Sequence, residues 1–129
     1  MSLLLLLAAL AVVGWLFWRA RPQVKPAELL AALNSGQALL VDVREPAEWA
    51  AGTARGAALL PLSDLRGERR QWRPFLAENR DRRLLLYCQS GARSALAAAQ
   101  LRREGVDARN AGSLAAVVGA GWPLGRGRS

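Results

Sequence analysis

The stretch LLLYCQSGARS, residues 84–94, carries the single cysteine of the chain. Three leucines and Tyr87 lead into Cys88, an apolar run suited to a buried strand. From Ser94 the sequence SALAAAQL is rich in helix formers. Residues 88–93 bridge the two. A packing cysteine belongs on an apolar face, whereas this one sits in a polar turn with Gly91 inside it and Arg93 closing it. A thiol placed where a strand feeds a helix meets unpaired backbone N–H groups, which favour an anion. There its pKa can fall from about 8.5 to about 3.5–7.5.

Outward from this turn the pattern alternates. Residues 26–33 predict a helix, with Pro26 in its first turn and Gly36 past its end. Residues 38–43 predict a buried strand, broken by Arg44-Glu45-Pro46, and 47–50 at most a short helix. A short strand is expected over 56–61, and helical or irregular chain over 62–65 and 71–78. Residues 83–87 predict the central strand and 94–104 the clearest helix, ended by Gly105. A last strand over 106–110 and a last helix over 113–120 follow. Strands alternating with helices imply one α/β domain, residues 26–124, with a mainly parallel sheet and helices on both faces. Sites in such sheets lie at the carboxyl ends of strands, where Cys88 falls. Residues 125–129 are expected to form a flexible tail.

The N-terminus is of another kind. Residues 3–18 contain no charge. With Met1 and Ser2 they give about 27 Å of helix at 1.5 Å per residue, close to a hydrocarbon core of about 30 Å. Trp15 and Trp18 stand near the end of the run, and Arg19, Arg21 and Lys25 follow. No basic residue precedes it and no small-x-small site ends it, against a cleaved signal peptide. The reading is a transmembrane anchor over residues 1–20 and a Pro-stiffened linker over 21–25. Basic residues on the C-terminal flank alone put the domain in the cytoplasm, on a bacterial inner membrane.

Composition narrows the chemistry. There is no histidine, which removes His-based zinc sites, Ser-His-Asp triads and Cys-His dyads. No metal or cofactor is expected. One cysteine allows no internal disulfide and fits a reducing compartment. The net charge of +8 comes mostly from arginines scattered along the chain without aromatic interleaving, so nucleic acid is not the expected partner.

The chain resembles the rhodanese family, which carries sulfur as a cysteine persulfide. The resemblance rests on LLVDVREPAEWAAG (residues 39–52), RGAALLPLSDL (55–65), LLLYCQSGARSALAAAQLRREG (84–105) and Gly121-Trp122-Pro123, and spans residues 24–124. It implies Cys88 as nucleophile and sulfur acceptor, with Gln89, Ser90, Gly91, Ala92 and Arg93 as the cradle whose amides hold the persulfide. Ser94 is expected to cap the helix. Asp42, Arg44 and Glu48 are expected to support the site, with Arg44 pairing Glu48. Four residues separate Cys88 from Arg93, whereas phosphatases sharing this fold have five, so sulfur transfer is expected over phosphate hydrolysis. The resemblance implies a thiosulfate:cyanide-type sulfurtransferase with a small sulfur donor, a thiol or cyanide acceptor and a partner in the membrane. A tethered docking or sulfur-relay module with little free turnover is the alternative. Three departures bear on donor and partner. Thr53-Ala54 stands where relatives often have His-Ile, Ala111-Gly112-Ser113 replaces a Gly-Gly turn, and Arg93 is the only basic residue of the loop, against thiosulfate as the natural donor.

Overall fold

The computed structural model describes residues 2–128. Helix α1 (Leu3–Ala20) opens the chain, with Ser2 accepting from the Leu5 amide as its N-cap. Helix α2 (Pro26–Ser35) follows, starting at its proline and ending on Gly36 in the left-handed region at φ 77°. Strand β1 (Ala38–Asp42) then runs into α3 (Pro46–Trp49). Next come β2 (Thr53–Ala54), β3 (Ala58–Leu59), α4 (Leu62–Arg66) and α5 (Trp72–Glu78). Strand β4 (Arg83–Cys88), helix α6 (Ala92–Arg103), strand β5 (Ala108–Ser113), α7 (Leu114–Gly119) and β6 (Leu124–Gly125) complete it.

Four strands form one parallel sheet in the order β3-β1-β4-β5. β4 is central and buried on both faces, which is why residues 84–87 are apolar without alternation. On one face Val41, Leu84, Leu86, Trp72 and Leu101 pack with α4, α5 and α6. On the other, Leu40, Leu85, Tyr87, Leu29 and Val117 pack with α2 and α7. Fully burying each leucine contributes about 1.5–3 kcal/mol. Pro74 does not interrupt α5, because it is the third residue of the helix, where its missing N–H has no intrahelical partner.

Two terminal expectations change. Of the segment expected to be a free tail, Gly125, Arg126 and Arg128 are paired through the backbone, and Ser129 lies outside the described residues. Leu124 and Gly125 form an antiparallel ladder with Ala54 and Thr53, and Arg128 exchanges backbone bonds with Ala57 and Leu59 at 2.7 and 2.8 Å. Backbone pairing with an edge holds these residues where composition alone suggested freedom. The linker is likewise docked: the Gln23 amide donates to the Asn110 carbonyl at 2.7 Å. Helix α1 buries none of its residues, yet it is long and apolar enough to cross a membrane. Arg19 stacks over Trp15 and Arg21 over Trp18, at 4.7 and 4.6 Å from the ring centroids.

Candidate active site

Cys88 is the last residue of β4, and its neighbour Val43 just past β1 ties the two strand ends through a bond to the Tyr87 carbonyl. The cysteine is free and buried. The chain then reverses through Gln89, Ser90 and Gly91. Gly91 has φ 91°, a backbone state that only glycine adopts readily, and it caps α6. Its amide donates to Cys88 Sγ at 3.1 Å. Gln89, Ser90 and Ala92 are exposed and rim the buried thiol.

Helix α6 begins at Ala92, two residues before the sequence suggested. Ser94 therefore lies inside the first turn and does not cap it. Its hydroxyl stands 3.4 Å from Cys88 Sγ and 2.7 Å from Asn110 Oδ1. A hydroxyl has one proton, so these two acceptors compete for it with the Gly91 and Gly112 carbonyls at 3.2 and 3.4 Å. Burial pushes the Cys88 thiol up. The Ser94 hydroxyl and the backbone amides of Ser94, Gly91 and Ser90 outweigh that, and the net shift is downward. Hydrogen bonds to the sulfur thus favour the thiolate in a chain without histidine.

Arg93 does not project freely into the turn. Its guanidinium makes a bidentate pair with Glu48 at 2.6 and 2.7 Å. That pair holds the Glu48 carboxyl at about 2 and pushes the Arg93 guanidinium up. The expected Arg44–Glu48 pair is absent from the described contacts, because Glu48 reaches Arg93. Glu48 also closes a capping box with Glu45 on α3.

Arg44 instead turns back on Asp42. Its Nη2 is 2.8 Å from Asp42 Oδ2 and 2.7 Å from the Gly52 carbonyl, and its Nε touches both carboxylate oxygens at 3.1 Å. Hydrogen bonding to Asp42 raises the Arg44 pKa against its burial. Tyr87 completes the cluster by donating to Asp42 Oδ2 at 2.7 Å and accepting from the Ala54 amide at 2.9 Å. Burial holds the phenol above its usual range, so it stays a donor. Arg44 Nη1 approaches Gln89 Oε1 at 3.4 Å, linking the cluster to the thiol turn. Asp42 and Arg44 thus brace strand ends and touch the turn from behind.

The structure therefore brings Cys88, Gln89, Ser90, Gly91, Ala92, Arg93 and Ser94 into one turn, with Glu48 on its flank and Asp42 and Arg44 beneath. Tyr87 and Asn110 join them without having been singled out in the sequence. A polar residue inside an otherwise apolar strand run was the available signal for Tyr87, whereas Asn110, following Asp107 and Arg109, gave none. Among the described residues no cluster of His, Cys, Asp or Glu could hold a metal ion.

The comparisons agree with this geometry. Human thiosulfate:glutathione sulfurtransferase is 41% identical over 91 residues, covering 64% of this chain and 77% of that protein. The probable adenylyltransferase/sulfurtransferase MoeZ of Mycobacterium tuberculosis is 40% identical over 84 residues, covering 64% of this chain. The chain spans 50% and 20% of the lengths of the first bacterial relatives it matches. The solved human single-domain sulfurtransferase TSTD1 superposes with a TM-score of 0.61 at 37% identity, over 77% of this chain and 96% of that one. Residues 25–118 match the rhodanese-like domain, and with the parallel sheet and the cysteine turn in place the chain belongs to the rhodanese-like family.

Proposed function

We propose that this chain is a membrane-anchored sulfurtransferase carrying sulfane sulfur as a persulfide on Cys88. The observation that carries the reading is the Gly91 amide donating to Cys88 Sγ at 3.1 Å, with the Ser94 hydroxyl within 3.4 Å, inside a six-residue turn. A docking module would need the fold but not this convergence on sulfur.

The transfer has two steps. The Cys88 thiolate attacks the sulfane sulfur of the donor. A new S–S bond forms, the bond from that sulfur to the rest of the donor breaks, and the donor leaves with the electron pair. An acceptor thiolate or cyanide then attacks the outer sulfur, and Cys88 leaves as thiolate with the second pair. Because Cys88 is covered, the atom offered to the acceptor is the outer sulfur, about 2 Å further out along the S–S bond. The turn's N–H groups favour both the thiolate and an anionic outer sulfur. The turn offers a donor no unpaired guanidinium, since Arg93 is held by Glu48.

The exposed apolar surface of α1 supports the anchor, since that much bare apolar area in water calls for lipid. A groove of about 670 Å³ at its end is lined by Trp18, Arg19, Arg21, Lys25 and Arg102. Four cations beside the Trp18 indole, with Glu28 the one acid among them, suit the headgroup region of a cytoplasmic leaflet. The domain would then face the cytoplasm and a partner in the same bacterial inner membrane.

The test is intact mass spectrometry of the full chain after incubation with sulfane-sulfur donors. The expected product is heavier by one sulfur atom and reverts on cyanide addition. A chain that gains no sulfur from any donor, or gains it equally as Cys88→Ser, sinks the carrier reading.

A further inference from the structure

Asn110 is fully buried on β5, and its side chain serves two parts of the molecule at once. Its Nδ2 is 3.2 Å from the carbonyls of both Ala20 and Arg21 and 3.5 Å from that of Arg19, at the open end of α1. The same nitrogen is 3.1 Å from the carbonyl of Gly91, the glycine whose amide points at Cys88 Sγ. On its other side, Oδ1 accepts from the Ser94 hydroxyl at 2.7 Å and the Gly112 amide at 3.0 Å. An amide NH₂ has two hydrogens. Here they serve the last turn of one helix and the turn before another.

The backbone packing is equally tight. A methyl group on Gly91 would lie 2.2 Å from the Ala20 carbonyl oxygen, and one on Gly112 would lie 2.8 Å from Pro22 Cγ. Gln23 clamps Asn110 from outside, its side chain accepting from the Asn110 amide at 2.8 Å and its own amide donating to the Asn110 carbonyl at 2.7 Å. Pro22 of the linker does not hold the helix away from the fold. It packs on Gly112 while the end of the helix packs on Gly91 of the cysteine turn.

We propose that Asn110 is a positioning residue of the thiol site, and that it ties the Cys88 turn to the end of α1 so that Cys88 reactivity depends on that helix being docked. Carbonyls at the end of a helix lack intrahelical partners. One N–H of Asn110 is left for the carbonyls at the end of α1, nearest Ala20 and Arg21, while the other holds the Gly91 carbonyl, and fixing that carbonyl holds Gly91, whose own amide in the preceding peptide points at sulfur, in place. With α1 lifted away, Gly91 loses the surface it packs on, Asn110 loses the acceptors on that side, and the turn loosens around the thiol. This inference takes Cys88 as the reactive group but does not require that it carry sulfur. A partner or lipid that pulls on the anchor would then be felt at the thiol.

The test uses the full chain in detergent micelles and the pH profile of Cys88 alkylation by a small haloacetamide. One variant inserts Gly-Ser-Gly-Ser between Arg21 and Pro22, leaving every native residue in place. The second is Asn110→Ala, and the third combines them. The insertion is expected to move the alkylation midpoint upward and slow alkylation at neutral pH by about threefold or more, as less thiolate is held. In the Asn110→Ala background the insertion should shift the midpoint clearly less than it does in the native background, since one of the two ties is already cut. An insertion profile superimposable on that of the native chain, or two effects that simply add, overturns the proposal. If Asn110→Ala does not fold, the insertion chain decides alone. Sulfur loading is read in parallel. Coupled alkylation without sulfur uptake would sink the carrier reading and leave this one standing.

Discussion

Arg93 and Glu48 meet in a bidentate pair at 2.6 and 2.7 Å, fastening the first turn of α6 to α3. The charge that closes the cysteine turn is thereby directed mainly at a carboxylate, and the pair holds the turn's shape. Arg93→Ala should therefore slow sulfur loading of Cys88, and Glu48→Gln should slow it in the same direction. Arg126→Ala should not, since Arg126 is exposed at the far edge. Single-turnover loading rates followed by mass spectrometry check this. Equal rates in Arg93→Ala and Arg126→Ala would remove Arg93 from the site.

The same pair predicts an acid limit. Folding lowers the Glu48 carboxyl from its ordinary value to about 2, chiefly through the Arg93 hydrogen bonds. A depressed carboxyl pKa stabilises the fold fully above the unfolded value of about 4.3, and that contribution fades as pH falls toward the folded value. Denaturant titrations of the native chain and of Glu48→Gln should differ by a constant amount above about pH 5, and the gap should close on the way to about pH 2. A gap that stays unchanged down to that pH would mean the pair contributes nothing specific.

Ser94 tests how the thiolate is held. Its hydroxyl is one of the groups that outweigh burial at Cys88. Ser94→Ala should raise the alkylation midpoint of Cys88, and alkylation at neutral pH should slow. Thermal unfolding of the variant provides the control, because the hydroxyl also bonds Asn110. An unshifted midpoint in a folded Ser94→Ala chain would leave the backbone amides as the whole source of activation.

Much of this site was legible in the sequence, and the limits are physical. The turn could be read because strand, glycine, arginine and helix lie within eleven consecutive residues, 84–94. The start of α6 was placed two residues late because Ser94 looks like an N-cap, while Gly91 takes that position through its left-handed backbone. The sheet was readable from uninterrupted apolar runs. The partners of Arg44 and Glu48 were not, because both acids lie within four residues of Arg44 and only the fold decides which it faces. Asn110 was invisible for a similar reason: its partners at residues 19–21 are about ninety residues away along the chain.

The buried cluster under the turn predicts a steep stability cost. Asp42 is fully buried and receives bonds from Arg44 and Tyr87. Asp42→Ala would strand the Arg44 guanidinium without its counter-charge, and breaking such a pair costs about 3–5 kcal/mol. Tyr87→Phe removes one donor from Asp42 and leaves the Ala54 amide without its acceptor, which costs about 1–3 kcal/mol. Urea unfolding of both variants gives the order. If Tyr87→Phe proves the more damaging, the ion pair is not the center of the cluster.

The last prediction concerns α1. Its apolar side chains are exposed along the whole helix, and Arg19, Arg21 and Lys25 follow only on the C-terminal side. The full chain should sediment with membranes and resist extraction by high salt and by alkali. Salt screens a basic patch within a Debye length of about 8–10 Å, but it does not weaken burial of an apolar helix in hydrocarbon. Cys88 should be protected from a membrane-impermeant thiol reagent in intact bacterial spheroplasts and become labelled on lysis. Burial of Cys88 could by itself slow labelling, so a cysteine placed at exposed Arg126, in a Cys88→Ser background, reports the side of the membrane independently. Labelling of that reporter before lysis would reverse the topology. Release of the chain by salt alone would show that α1 does not span the bilayer.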